Sequence, residues 1–222
     1  METISTSAAS AARMRKRASG KPHISIDAAI RAQVTAAKRG SVFTPADFAS
    51  LGSRAAVDKV LSRLTAGGEL RRIARGLYDC SETLSPLPSV EETARALAGK
   101  NDVRLQPCGA YAAKLLGLSD QMPMKLVFLT EGSTRTLWID GRQIILRPTT
   151  QRNMATAGRI SGLVIQALRH LRQPNVDEPV LRHLHARLSS DEKAALLADA
   201  PFAPAWIAGI MRRIANGTNL AV

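Results

Sequence analysis

Arginines, not a catalytic set, carry the chemistry that this sequence offers. Arg54 stands among Ser53, Ala55, Asp58 and Lys59, with Arg63 two turns on, and Arg71, Arg72 and Arg75 fall within five residues. A guanidinium has a planar fork of donors that matches a guanine edge or a phosphate, so this density of arginine points to a polyanion. Asp58 either accepts from a cytosine amino group or pairs with Arg54 at i, i+4. Arg71 and Arg72 are adjacent, so on a strand they face opposite ways and one of them packs its stem on the core. Enzyme chemistry finds no comparable set. No GxSxG, HExxH or lysine-bearing phosphate loop occurs, and Glu131, Gly132 and Ser133 do not make one. His183 and His185 are two apart, on different faces of a helix, and read as solvated side chains. Cys108, beside Gly109, reads as a small buried residue because no base adjoins it. Two cysteines and four histidines without ligand spacing complete neither a zinc cage nor a disulfide framework. No catalytic residue, metal or cofactor is expected.

The elements that must position these arginines follow from periodicity. Ile26, Ile30, Val34 and Ala37 recur at helical spacing after Ser25 and Asp27, both good N-cap types, and Gly40 closes this first helix. Ser41, Val42 and Phe43 are strand-like. Thr44 then precedes Pro45 as an N-cap with proline at the first helical position, opening a short second helix that turns Phe48 and Leu51 inward and stops at Gly52. Ser53 caps a third helix with Val57, Val60, Leu61 and Leu64 on its apolar stripe and Arg54, Ala55, Asp58, Lys59, Ser62 and Arg63 off it. Gly67 and Gly68 end it. Two extended runs follow around the tight turn Ala74, Arg75 and Gly76. Three helices and a two-stranded ribbon in this order predict a winged helix-turn-helix over residues 23–84, whose third helix enters a major groove. The expected DNA contacts are Thr44, Ser53, Arg54, Ala55, Asp58, Lys59 and Arg63 from the helices and Arg71, Arg72 and Arg75 from the wing. Residues 1–22 read as a basic arm in which Arg13, Arg15, Lys16 and Arg17 either follow a phosphate backbone or enter a minor groove. A transit peptide of similar composition is set aside by Glu2 and the missing amphipathic stripe.

Beyond residue 85 the pattern changes. Pro86 and Pro88 mark a linker, and Ser89 with Glu92 forms a capping box. A helix over 89–99, another over about 109–116, a buried strand over 125–130 and a hairpin turning at Asp140 and Gly141 are predicted, the last because that dipeptide tolerates positive φ. Helices then follow at about 160–171, 178–187, 190–199 and 204–215. The fold class is therefore α+β, a winged helix-turn-helix joined to a mixed C-terminal domain with a small antiparallel sheet and a helical end. Each half is expected to own a core, so a fragment of residues 1–84 is expected to fold and keep some DNA affinity.

Charge supports the same partition. The 222 residues carry 31 Lys+Arg against 18 Asp+Glu, a net +13, and residues 1–80 hold 14 basic against 6 acidic side chains. A basic domain attracts nucleic acid. At 45% hydrophobic the chain has the means to build a core, which excludes disorder throughout. No window approaches the roughly 18 apolar residues of a membrane span, and no apolar signal core stands at the start, so no membrane contact is expected and the cytoplasm is the expected compartment.

Phe43 to Phe48, Leu51 to Leu64 and Leu70 to Asp79 resemble the N-terminal domain of AbiEi-type antitoxins of bacterial abortive-infection systems (type IV toxin-antitoxin systems). The likeness continues through residues 106–118, 126–132 and 152–159. It implies a winged-helix reader of operator DNA, associated with the nucleoid as an autorepressor and a homodimer on DNA, joined to an antitoxin domain over residues 85–222. It also implies a nucleotidyltransferase-like toxin as partner, opposed through Arg135, Arg147, Arg152 and Arg159 in the segment of closest likeness. Two other functions compete: a winged-helix transcription factor without antitoxin activity, and an RNA-binding protein using the same charge.

Overall fold

In the computed structural model, residues 25–38, 40–80, 86–99 and 103–217 are described. The arm residues Arg13, Arg15, Lys16 and Arg17, and positions 81–85 of the linker, lie outside them. The described chain is α+β, with eight α-helices and two small sheets. Among the described residues no helix is long and apolar enough to cross a membrane.

Helix α1 (Ile26–Ala36) begins at Ser25, whose hydroxyl accepts from the Ala28 amide. Strand β1 (Val42–Phe43) leads to a 3₁₀ turn over Pro45–Phe48. That turn stands where a short α-helix was expected. Only a few residues separate Thr44 from Gly52, and Pro45 supplies no amide hydrogen, so the segment closes one tight turn. Thr44 and Asp47 bracket it as a capping box. Gly52 is fixed by packing, because a Cβ there would lie 2.5 Å from Cδ1 of Ile26. Helix α2 (Arg54–Ala66) is capped by the Ser53 hydroxyl, which accepts from the Ala56 amide. Strands β2 (Arg71–Ala74) and β3 (Leu77–Asp79) form the expected ribbon, but β1 joins it, giving an antiparallel sheet of order β1-β3-β2. Ile30, Phe48, Val57, Leu61 and Leu64 are at most 1% exposed in the core beneath it.

Past the linker come α3 (Val90–Ala98), β4 (Leu105–Cys108), α4 (Ala110–Leu115), β5 (Lys125–Thr130), β6 (Arg135–Ile139) and β7 (Arg142–Pro148). The sheet order is β4-β5-β7-β6. The expected hairpin of β6 and β7 is present, with Asp140 at φ 49° and Gly141 at φ 69°. The sheet, however, is mixed and not purely antiparallel, because β5 pairs β7 in parallel. The interior place of β7 beside β5 buries Ile144 and Leu146, while β6 lies at the edge of the sheet. Helices α5 (Ile160–Leu171), α6 (Glu178–Arg187), α7 (Ser190–Asp199) and α8 (Ala205–Asn216) close the chain around Leu168, Leu184, Leu196 and Met211.

A third core spans the linker. Leu77 of β3, with Val42, Ile73 and Ala74, packs among Ala94, Tyr111, Phe128 and Leu137 of the C-terminal part. Cutting at residue 84 would return Leu77, 3% exposed, to water. Loss of that one side chain's burial costs about 1.5–3 kcal/mol. A 1–84 fragment is therefore expected to melt at a lower temperature than the same segment within the full chain, by circular dichroism, and equal melting would show that the shared core contributes nothing.

Candidate nucleic-acid interface

The apolar stripe of α2 fixes which side chains reach solvent. Val57, Val60, Leu61 and Leu64 face the core, so Ser53, Arg54, Ala55, Asp58, Lys59, Ser62 and Arg63 are exposed on the other side. Arg54 lies at the first turn, and its Nε donates to both oxygens of Asp58 at 3.0 and 2.9 Å. In this structure Asp58 is thus the i, i+4 partner of Arg54. The pair is exposed, so it contributes little stability and an incoming acceptor can take over the guanidinium. Lys59 has no ion pair among the described residues.

Arg63 is engaged elsewhere. It pairs with Asp27 of α1, which also receives Arg31 at 2.6 Å, and Arg31 reaches Glu69 as well. The hydrogen bond from Arg31, with Arg63 close by, holds the Asp27 carboxyl below its usual pKa. This network ties α1 to α2 and to the turn after it. Arg31 and Glu69 were not legible as partners, since 38 residues separate them.

The two adjacent arginines of β2 divide as the strand alternation requires. Arg71 stands directly opposite Asp79 and meets it through two hydrogen bonds, Nε to Oδ1 at 3.1 Å and a terminal nitrogen to Oδ2 at 2.6 Å. It also donates to the Pro86 carbonyl at 3.0 Å. Asp79 is fully buried and the Arg71 side chain is 17% exposed, so Arg71 packs inward and is unsuited to a phosphate contact. Arg72 points to solvent, and Arg75 is exposed in the turn where Gly76 takes φ +74°. Thr44 is half-buried and spends its side chain on Asp47. The exposed cations of this part that make no contact beyond their own element are thus Arg54, Lys59, Arg72 and Arg75.

The four arginines singled out in the C-terminal part do not converge. Arg135 shares the sheet face of its partner Leu146 and donates to the Leu97 carbonyl at 2.9 Å. Arg159 binds buried Asp199 at 2.8 Å, where Asp199 also accepts from Ser161. Arg147 and Arg152 are exposed. Both histidines are more than solvated side chains: His183 meets the Leu116 carbonyl at 2.9 Å and His185 the Ile214 carbonyl at 2.6 Å, each on a different neighbour. Cys108 is buried, and burial raises its thiol pKa, with Arg147 opposing. No group of three or more metal-ligating side chains occurs among the described residues.

The chain belongs to a family of unknown function (DUF6088), whose profile matches residues 29–196. That span begins in α1 and reaches α7, so it takes in both parts and the core they share. No curated protein and no solved structure matches the chain.

Proposed function

We propose that this protein is a DNA-binding antitoxin that represses its own operon, with residues 25–80 acting as a winged helix-turn-helix reader. The observation that carries this reading is the exposure of four cations, Arg54 and Lys59 on α2 and Arg72 and Arg75 on the β2–β3 ribbon. Helix α2 would present Arg54 to base edges in a major groove, while the ribbon arginines hold phosphates. Double-stranded operator DNA is the partner, bound in the cytoplasm at the nucleoid. A homodimer would match a palindromic site. Mobility shifts with the region upstream of its gene should show preference over random duplex and over structured RNA; equal retention of all three would overturn the reading.

Opposition to a nucleotidyltransferase-like toxin is the second activity of this reading, and it rests on the likeness to AbiEi-type antitoxins. Of the four arginines that the likeness implies, Arg147 and Arg152 have side chains available for it. Arg135 and Arg159 are committed to internal carbonyl and carboxylate partners. Co-expression with the neighbouring toxin from a foreign promoter removes the repression route. The full chain with Arg54, Arg72 and Arg75 changed to Ala is expected to rescue growth, and further change of Arg147 and Arg152 to Ala is expected to abolish rescue. No rescue by the unaltered chain would overturn the antitoxin assignment.

A further inference from the structure

The C-terminal sheet has a second face, turned away from the core it shares with the ribbon. In the strand register Cys108 lies opposite Val127, and Leu129 opposite Arg147, so these side chains share a face that Leu126 and Phe128 do not. Above them stand the 3₁₀ turn over Gln151–Met154 and the last turns of α5. Between sheet and helix is a cleft of about 420 Å³. Such a volume falls within the usual range for small-ligand sites.

The cleft's charge is one-sided. Arg147 enters from β7, and Arg169 and His170 from α5, and no carboxylate lines it. Several arginines elsewhere meet acids, as Arg63, Arg71, Arg104 and Arg159 do. Here neither the Arg147 guanidinium nor the His170 imidazole has an ion pair or side-chain hydrogen bond to another described residue. Arg169 is oriented by a neutral partner: both terminal nitrogens donate to the Asn153 side-chain oxygen at 3.3 Å. Asn153 in turn donates to the Thr149 hydroxyl at 3.0 Å. This chain steers a guanidinium without neutralising it. Two guanidiniums and an imidazole supply more charge and more donors than a single carboxylate uses, and they suit the doubly charged, three-oxygen end of a phosphomonoester. Val127 and Leu129 offer an apolar wall for the body that carries the phosphate.

We infer that this cleft binds the phosphomonoester of a nucleotide-sized ligand, gripped by Arg147 and Arg169 with His170 beside them. The site takes no residue from 25–80 and does not depend on DNA binding. Calorimetry on the full chain tests it with adenosine 5′-monophosphate, inorganic phosphate and adenosine. The monophosphate is expected to bind one site from which phosphate displaces it, and adenosine is expected not to bind. Arg147→Gln and Arg169→Gln should each weaken the monophosphate at least about tenfold, as for loss of a charge-assisted contact. Arg147 is exposed, so its variant should keep the melting temperature of the parent and remain informative if Arg169→Gln does not fold. Arg182→Gln, an exposed arginine on α6 outside the cleft, should change nothing. A short oligonucleotide with and without a 5′-phosphate distinguishes a free nucleotide from a chain terminus as the source of that group. Binding of adenosine as tight as the monophosphate, equal weakening by Arg182→Gln, or no binding of any phosphomonoester at millimolar concentration would overturn the inference.

Discussion

Arg54→Ala is expected to weaken binding to the operator by about 1–3 kcal/mol and to flatten the preference among base substitutions, because on the proposed reading α2 enters the groove and a guanidinium at its first turn would read bases. Arg72→Ala and Arg75→Ala are expected to act differently, weakening all duplexes alike. On the proposed reading each would remove a phosphate contact, so each should lower the slope of log affinity against log salt by about one. If about six phosphates are neutralised, the parent slope should lie near −5. Arg63→Ala should affect affinity less than Arg54→Ala, since its guanidinium already meets Asp27. Titrations at several salt concentrations on matched and mismatched duplexes measure all of these. A uniform loss for Arg54→Ala, with no change in base preference, would remove it from the reading position.

Breaking the Arg71–Asp79 pair is expected to produce a large stability loss. Asp79 is 0% exposed, and Arg71 forks both of its oxygens across the β2–β3 register. Removing one partner leaves a buried charge uncompensated, which costs about 3–5 kcal/mol. Total stability of a domain is only about 5–15 kcal/mol, so Arg71→Met should unfold well below the denaturant midpoint of the parent. The double variant Arg71→Met, Asp79→Leu should recover most of the loss, because the penalty belongs to the orphaned carboxylate and not to the missing attraction. Chemical denaturation followed by circular dichroism tests both. A loss below about 1 kcal/mol for Arg71→Met would show that Asp79 finds water or another donor. The pair also explains why only two of three arginines in five residues, Arg72 and Arg75, are exposed.

Much of the local structure was legible because local chemistry sets it. Ser25, Ser53 and Ser89 accept from the amides three residues on, as N-caps do, and each starts its helix. Asp140 and Gly141 turn the hairpin through positive φ. The stripe of Val57, Val60, Leu61 and Leu64 sets which face of α2 meets water, a consequence of the helical period alone. The last four helices lie within a residue or two of where periodicity puts them.

Strand β4 was not legible. Pro107 argues against a strand, and the segment pairs only because it lies at the sheet edge, where a missing amide hydrogen does no harm. The parallel pairing of β5 with β7 likewise depends on which neighbour buries Ile144 and Leu146, a competition between surfaces that no window of sequence contains.

The sequence by itself determined the helices, their caps, the hairpin turn and the surplus of arginine, since each depends on residues a few positions apart. Only the tertiary structure decided what each arginine does. Arg71 went to Asp79, Arg63 to Asp27, Arg159 to Asp199 and Arg135 to the Leu97 carbonyl. A guanidinium takes the nearest acceptor the fold brings to it, and those acceptors lie 8 to 40 residues away along the chain. The same folding placed Arg147 and Arg169 on one cleft without an acid between them, because β7 and α5 meet only once the second face of the sheet is covered.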